Sequence, residues 1–184
     1  MLTLHFDYTS PSSAVAVLRL QSLTQAGGAV EFRGIDALGL SMPIPPTLDL
    51  LAGLETNRVR ARQLGLEMRR PSLQPPTIAA HLIGTLADAH QRGDAWRSAC
   101  LKGYFTDDVD LSDEGWLLRA AVEVGLDSAE VAARLSDRKL RVTTHGRMTT
   151  QRRRGIGGVP ILEANGMMVS ADLADADLKQ LAAL

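Results

Sequence analysis

The sequence predicts an α/β fold in which a βαβ unit and a ββα unit flank a long helical block. Three observations predict it. A short apolar run, LTLHF at 2–6, and a second strand-like run, AVEFRGI at 29–35, enclose a helical stretch. From about 48 to 154, helix signals follow one another with almost no strand signal. After Gly155 strand signals return and pair across an Asn165-Gly166 turn.

Each element has a local reason. The first strand stops at Asp7, and Ser10 is a good N-cap before Pro11, whose missing N–H costs nothing in a first helical turn. The run AVAVL at 14–18 is apolar on nearly every side, so this helix is predicted to be sandwiched between other elements. Gly27 and Gly28 end it, and Val30, Phe32 and Ile35 supply the apolar contacts of the second strand. A βαβ unit implies a right-handed crossover and a parallel pair. The prolines of MPIPP at 42–46 break the pattern. Inside the helical block, Ser112 is read as the cap of a helix with Asp113 and Glu114 in its first turn; Gly125 ends that helix, and Asp127 with Glu130 has capping-box spacing for the next. The closing hairpin is read as VPIL at 159–162 and MMVS at 167–170, followed by a helix over about 174–183. The chain then divides into an N-terminal half at 1–47, a helical insertion at 48–145 and a C-terminal half at 146–184.

At 184 residues, 45% of them hydrophobic, the chain supports one well-buried core. A formal net charge of −1 gives no general attraction to nucleic acid or anionic lipid, and neither is an expected partner. No signal-peptide pattern or bilayer-length apolar stretch is evident, so a soluble cytoplasmic protein is expected. Cys100 is the single cysteine, which rules out an internal disulfide and a cysteine-built zinc site. His5, His81, His90 and His145 have no metal-ligand spacing, and no metal is expected.

The element order, with a proline directly before the third strand, resembles the DsbA-like thioredoxin fold, in which an all-helical insertion interrupts the βαβ and ββα halves. The segment 102-KGYFTDDVDLSDEGWLLRAAVEVGLD-127 is similar to the insert of the FrnE-like branch. The segment 155-GIGGVPILEANGMMVSADLADADLKQL-181 is similar to the family's Gly-Val-Pro hairpin and terminal helix, and 58-RVRARQLGLEM-68 also aligns. Where that family carries Cys-Pro-x-Cys at the helix start, this chain reads Ser10-Pro11-Ser12-Ser13.

The resemblance has chemical consequences. A family cysteine at the helix mouth works as a thiolate favoured by the helix terminus. A serine hydroxyl forms no disulfide, so thiol–disulfide exchange is not expected here, whatever oxidoreductase label the family carries. The kappa-class glutathione transferases and 2-hydroxychromene-2-carboxylate isomerases of the superfamily also use Ser-Pro in this frame. Their Asp-x-x-Ser-Pro-Tyr-Ser motif matches here at Asp7, Ser10, Pro11 and Ser13, with Ser12 replacing the aromatic residue. The likeness implies that Ser10, with Ser13 as second candidate, stabilises a bound thiolate or a substrate oxygen. It implies a cis peptide at Val159-Pro160, with the backbone before the proline facing the motif, and a ligand surface of Pro11, Ser12, Val159, Pro160 and Ser170. No cofactor is required; glutathione or another low-molecular-weight thiol is the candidate ligand, and a homodimer is an option.

The plainer readings stand beside these. Ser10 as a simple N-cap contributes about 1 kcal/mol to the helix and nothing to chemistry. Ser13 can satisfy itself within the first turn. Asp7 is read as tying down the turn, His5 as core-edge packing and Cys100 as a buried small hydrophobe. The arginines of QRRRG at 151–155 complement a helix terminus, or hold an anionic ligand near the motif. Two functions follow: a small-molecule isomerase or transferase, or a redox-inactive ligand- or peptide-binding protein.

Overall fold

Strand β1 (Leu2–Phe6) is the centre of the molecule, and all five of its residues are buried. The computed structural model describes residues 2–25 and 27–182. Helix α1 (Pro11–Gln25) returns the chain to β2 (Val30–Gly34), which pairs with β1 in parallel, Leu4 opposite Phe32. Six helices follow: α2 (Leu48–Gln63), α3 (Ile78–Ala89), α4 (Gly93–Phe105), α5 (Glu114–Glu123), α6 (Ser128–Ser136) and α7 (Arg138–Gln151). Strands β3 (Ile161–Ala164) and β4 (Met167–Ser170) and helix α8 (Asp175–Ala182) complete the order, and the sheet runs β2-β1-β3-β4 with β3 antiparallel to both neighbours.

The period of two decides which face is greasy. Leu2, Leu4 and Phe6 share one face with Leu162 and Ala164 and belong to the main core with α1 residues Ala14, Val15, Val17 and Leu20. The other face carries Thr3, His5, Glu31, Arg33 and Glu163, where His5 Nε2 lies 3.0 Å from Glu163 Oε2. Ile35 continues the pairing by donating its N–H to Phe6 O at 2.9 Å. It packs with Met148 and Ile156 in a second, smaller cluster rather than with Val30 and Phe32.

Four elements are bounded differently from the sequence reading. The third strand begins at Ile161 and not at 159; the Val159-Pro160 peptide, which is cis, lies outside the ladder. The two-residue shift preserves the alternation, so Leu162 still faces the core. The cap of α5 is Asp113, whose side chain accepts the N–H groups of Gly115 and Trp116, whereas Ser112 turns its hydroxyl onto Asp110 at 2.6 Å. Strand β2 is shorter at both ends than 29–35, and α8 opens at Asp175, residue 183 of the predicted helix lying outside the described residues. Helix α7 passes through position 145 and ends in a wide turn over Arg152–Ile156, broken at Gly155 with φ 87°. The Asn165-Gly166 turn has both residues at positive φ, 51° and 79°, as a two-residue hairpin with matched twist requires.

Candidate functional site

Ser10 sits where β1 hands over to α1. Its carbonyl accepts the N–H of Ala14 at 3.0 Å and its Oγ accepts the N–H of Ser13 at 3.2 Å, so it is the N-cap. The cap uses Oγ as an acceptor and leaves its O–H free to donate. Beside it Pro11 has no N–H, and the N–H of Ser12 has no partner among the described residues. A free donor, a free hydroxyl proton and the positive end of a fifteen-residue helix therefore converge at one point. That arrangement stabilises negative charge.

A groove of about 340 Å³ opens there, lined among others by Ser10, Pro11, Ser12, Leu38, Thr47, Gln74 and Val159. A second groove of about 200 Å³ adjoins it across Ser12 and is lined by Pro160, Arg19, Asn57 and Arg60. Thus Ser10, Pro11, Ser12, Val159 and Pro160 are brought together around two neighbouring grooves that share Ser12. Ser12 lies between them, its Oγ accepting the Asn57 side-chain amide at 3.1 Å.

Two predicted site residues do not join this group. Ser13 is fully buried, and its Oγ accepts the Asp7 N–H at 3.3 Å. That hydroxyl braces the strand-to-helix turn and lines neither groove. Ser170 is exposed and its Oγ accepts the N–H of Asp172 at 3.1 Å, a local turn on the far edge of the sheet. The arginines of 151–155 are also elsewhere: Arg152 donates to Asp36 O and Thr149, and none of the three lines the grooves. Arg19 and Arg60 are the cations of the smaller groove, held by Asp175 and Asp172.

A buried polar cluster, whose partners are far apart in sequence, meets the groove at Asp7, which is one of its lining residues. Asp7 is 2% exposed; Oδ2 accepts the Ala37 N–H at 2.8 Å and Oδ1 accepts that of Thr9 at 3.4 Å. His81 Nε2 lies 3.6 Å from Asp7 Oδ1, beyond hydrogen-bond reach, and its ring stacks on Tyr8 at 4.5 Å. Gly34 makes room for it, since a Cβ there would meet His81 Nδ1 at 1.9 Å. Asp36 joins the cluster, its Oδ1 accepting the Gly39 N–H at 2.8 Å. Burial, and next the charge of Asp7, push its carboxyl above the usual range.

That shift sets a pH dependence. Between the ordinary carboxyl value of 3.8 and its raised native value, the folded protein binds more protons at Asp36 than the unfolded chain, so this contribution falls as pH rises through that interval. Asp36→Asn keeps the acceptor for Gly39. The variant is expected to melt above the natural protein at neutral pH, with the gap closing as pH falls toward 3.8. Parallel melting curves across that range check it; an equal or lower melting point at neutral pH refutes it.

Cys100 is fully buried on α4, and burial pushes its thiol well up, so it offers no thiolate. Among the described residues there is no group of three histidine, cysteine or acidic side chains placed to hold a metal ion, and no helix long and apolar enough to cross a membrane.

The geometry agrees with what comparison with known proteins finds. The chain belongs to the DSBA-like thioredoxin domain family, whose model matches residues 1–182. A probable DsbA oxidoreductase from Streptomyces coelicolor is similar in structure, with a TM-score of 0.79 at 21% identity over 97% of this chain and 86% of that one. A 2-hydroxychromene-2-carboxylate isomerase follows at 0.73 and 19%, covering 98% and 91%. The cytosolic disulfide reductase DsbM from Pseudomonas aeruginosa, solved with GSH, gives 0.69 and 17% over 100% and 99%. At these identities the likeness is one of fold. No curated protein matches the chain in sequence.

Proposed function

We propose that this DsbA-family chain is an isomerase- or transferase-like enzyme in which Ser10 stabilises a bound thiolate or a developing substrate oxyanion. The observation that carries the reading is the half-used hydroxyl. Ser10 Oγ is fixed by the Ser13 N–H at 3.2 Å while its proton remains available to the groove. A donor preset in this way costs no reorganisation when charge develops. The GSH-bound reductase among the structural relatives supports a small thiol as the ligand class, and the isomerase supports the reaction class. A cytoplasmic setting suits such a ligand, and disulfide exchange is not part of the reading because oxygen occupies both motif positions.

The test is thermal stabilisation by glutathione. At tenfold excess over its dissociation constant a ligand stabilises by about 1.4 kcal/mol, or roughly 3–6 °C for a chain of this size. Ser10→Ala is expected to remove the shift, not merely lower the melting point, which the lost cap does anyway by about 1 kcal/mol. A shift that survives in Ser10→Ala sinks the role assigned to that hydroxyl.

A second reading, a redox-inactive peptide-binding protein, has one observation in its favour. Leu38, Met42 and Leu48 are 49%, 66% and 83% exposed on the segment bordering the groove. Such a rim fits an apolar peptide better than a charged tripeptide. Absence of a shift with any small thiol favours this reading.

A further inference from the structure

A wider open space than the groove at Ser10 runs along the outer edge of β2. It measures about 730 Å³ and is lined by all five residues of that strand, by Asp88 of α3, Asp94 and Arg97 of α4, and Arg147 of α7. Strand β2 ends the sheet, with no neighbour beyond it among the described residues. Because Ile35 donates its N–H to Phe6 in β1, strand alternation turns the backbone groups of Val30, Phe32 and Gly34 outward into this trough. An exposed row of that kind is a template for one more strand.

The side chains say which strand. Glu31 and Arg33 flank Phe32 and project on the polar face, 38% and 44% exposed, with Arg33 now bonded back onto Glu31 at 2.8 Å. We infer that β2 pairs antiparallel with β2 of a second copy about a two-fold axis at Phe32, joining the two sheets into one. In that register Glu31 lies opposite Arg33 of the second copy and Arg33 opposite its Glu31. Val30 and Gly34 face each other across the same axis. The outward-turned residues form the hydrogen-bonded pairs, which leaves the charged residues at the non-hydrogen-bonded positions, where opposing side chains stand closer. The stretch VEFRG is thus self-complementary in charge when reversed against itself, as an isologous interface requires. The inference is independent of any chemistry at Ser10.

Sedimentation of the full chain with paired charge reversals tests it. The natural protein is expected to dimerise, and Glu31→Arg or Arg33→Glu to raise the dimer dissociation constant about tenfold or more, since each reversal places two like-charge pairs across the axis. The double variant Glu31→Arg/Arg33→Glu restores opposite charges and is expected to return to within about threefold of the natural value. Val30→Pro removes only an outward N–H and is expected to leave a folded monomer. The inference is overturned by a chain that stays monomeric to on the order of 100 µM, by a dimer indifferent to both single reversals, or by a double variant no better than either single one. A monomer that instead captures an extended peptide along β2 also overturns it, by assigning the edge to another occupant.

Discussion

Ser10→Cys combined with Ser13→Cys is expected to produce a protein that reduces insulin with glutathione or dithiothreitol as electron source, at least about tenfold above background, while the natural chain stays at background. The reasoning is positional. Residue 10 receives the Ser13 N–H at the mouth of α1, next to the unpartnered Ser12 N–H and open to the groove. A thiol there gains the helix-terminal stabilisation that lowers cysteine pKa values to about 7.5 or below. Residue 13 is fully buried one turn along the same helix end, placed to resolve a mixed disulfide formed at residue 10. Ser10→Cys alone should therefore trap mixed disulfides without turnover. Cys100 cannot contribute, being wholly enclosed with its thiol pushed up by burial. Insulin reduction by the natural protein that survives Cys100→Ser would contradict the assignment, as would a folded double variant with no exchange activity.

Why those two positions could be located from sequence, and others could not, follows from the range of the interactions. Ser10 and Ser13 are held by bonds spanning three or six residues, Pro11 fits the first turn by its own geometry, and such roles in a helix mouth are local properties. Asn165-Gly166 is legible for the same reason, although the strand before it slipped by two positions because alternation alone does not say where pairing starts. Ser112 and Asp113 are both good caps, and only the Asp110 carboxylate, which claims the serine hydroxyl, decides between them. The groove is different. Gln74 enters it by accepting the hydroxyl of Thr47, and His81, from across 74 residues, packs near Asp7 without bonding to it; neither carries a spacing that marks it. Thr47, followed by LDLL with Asp49 in the first turn, was the one readable clue, as the cap of α2. Arg19 lies in an apolar helix and reaches Leu173 O at 2.5 Å, anchoring the approach to α8, a contact only the closed fold reveals.

Trp96→Ala is expected to cost about 3–5 kcal/mol, the largest single-residue loss among these predictions. Trp96 is 0% exposed on α4, and its indole N–H donates to Ala80 O of α3 at 3.0 Å, so it joins the two helices by both bulk and bond. Gly84 shapes its seat: a Cβ at that position would stand 3.0 Å from the Tyr8 hydroxyl oxygen and 3.5 Å from the indole. Truncation leaves a void where surrounding residues are already committed, since Tyr8 stacks on His81 and meets Phe6 edge-on at 5.1 Å. Trp96→Phe separates the two contributions. It keeps most of the volume and drops the N–H, so its cost should approach that of one hydrogen bond, about 1 kcal/mol, plus a small residual cavity. Urea unfolding with an unchanged slope measures both. Because Tyr8 precedes Thr9 and Ser10, a loosened ring also relaxes the turn that aims the Ser10 hydroxyl. In Trp96→Ala any glutathione-induced shift should therefore shrink, and in Trp96→Phe it should persist. A loss below about 1 kcal/mol in Trp96→Ala would show that α3 and α4 close over the sheet without this ring.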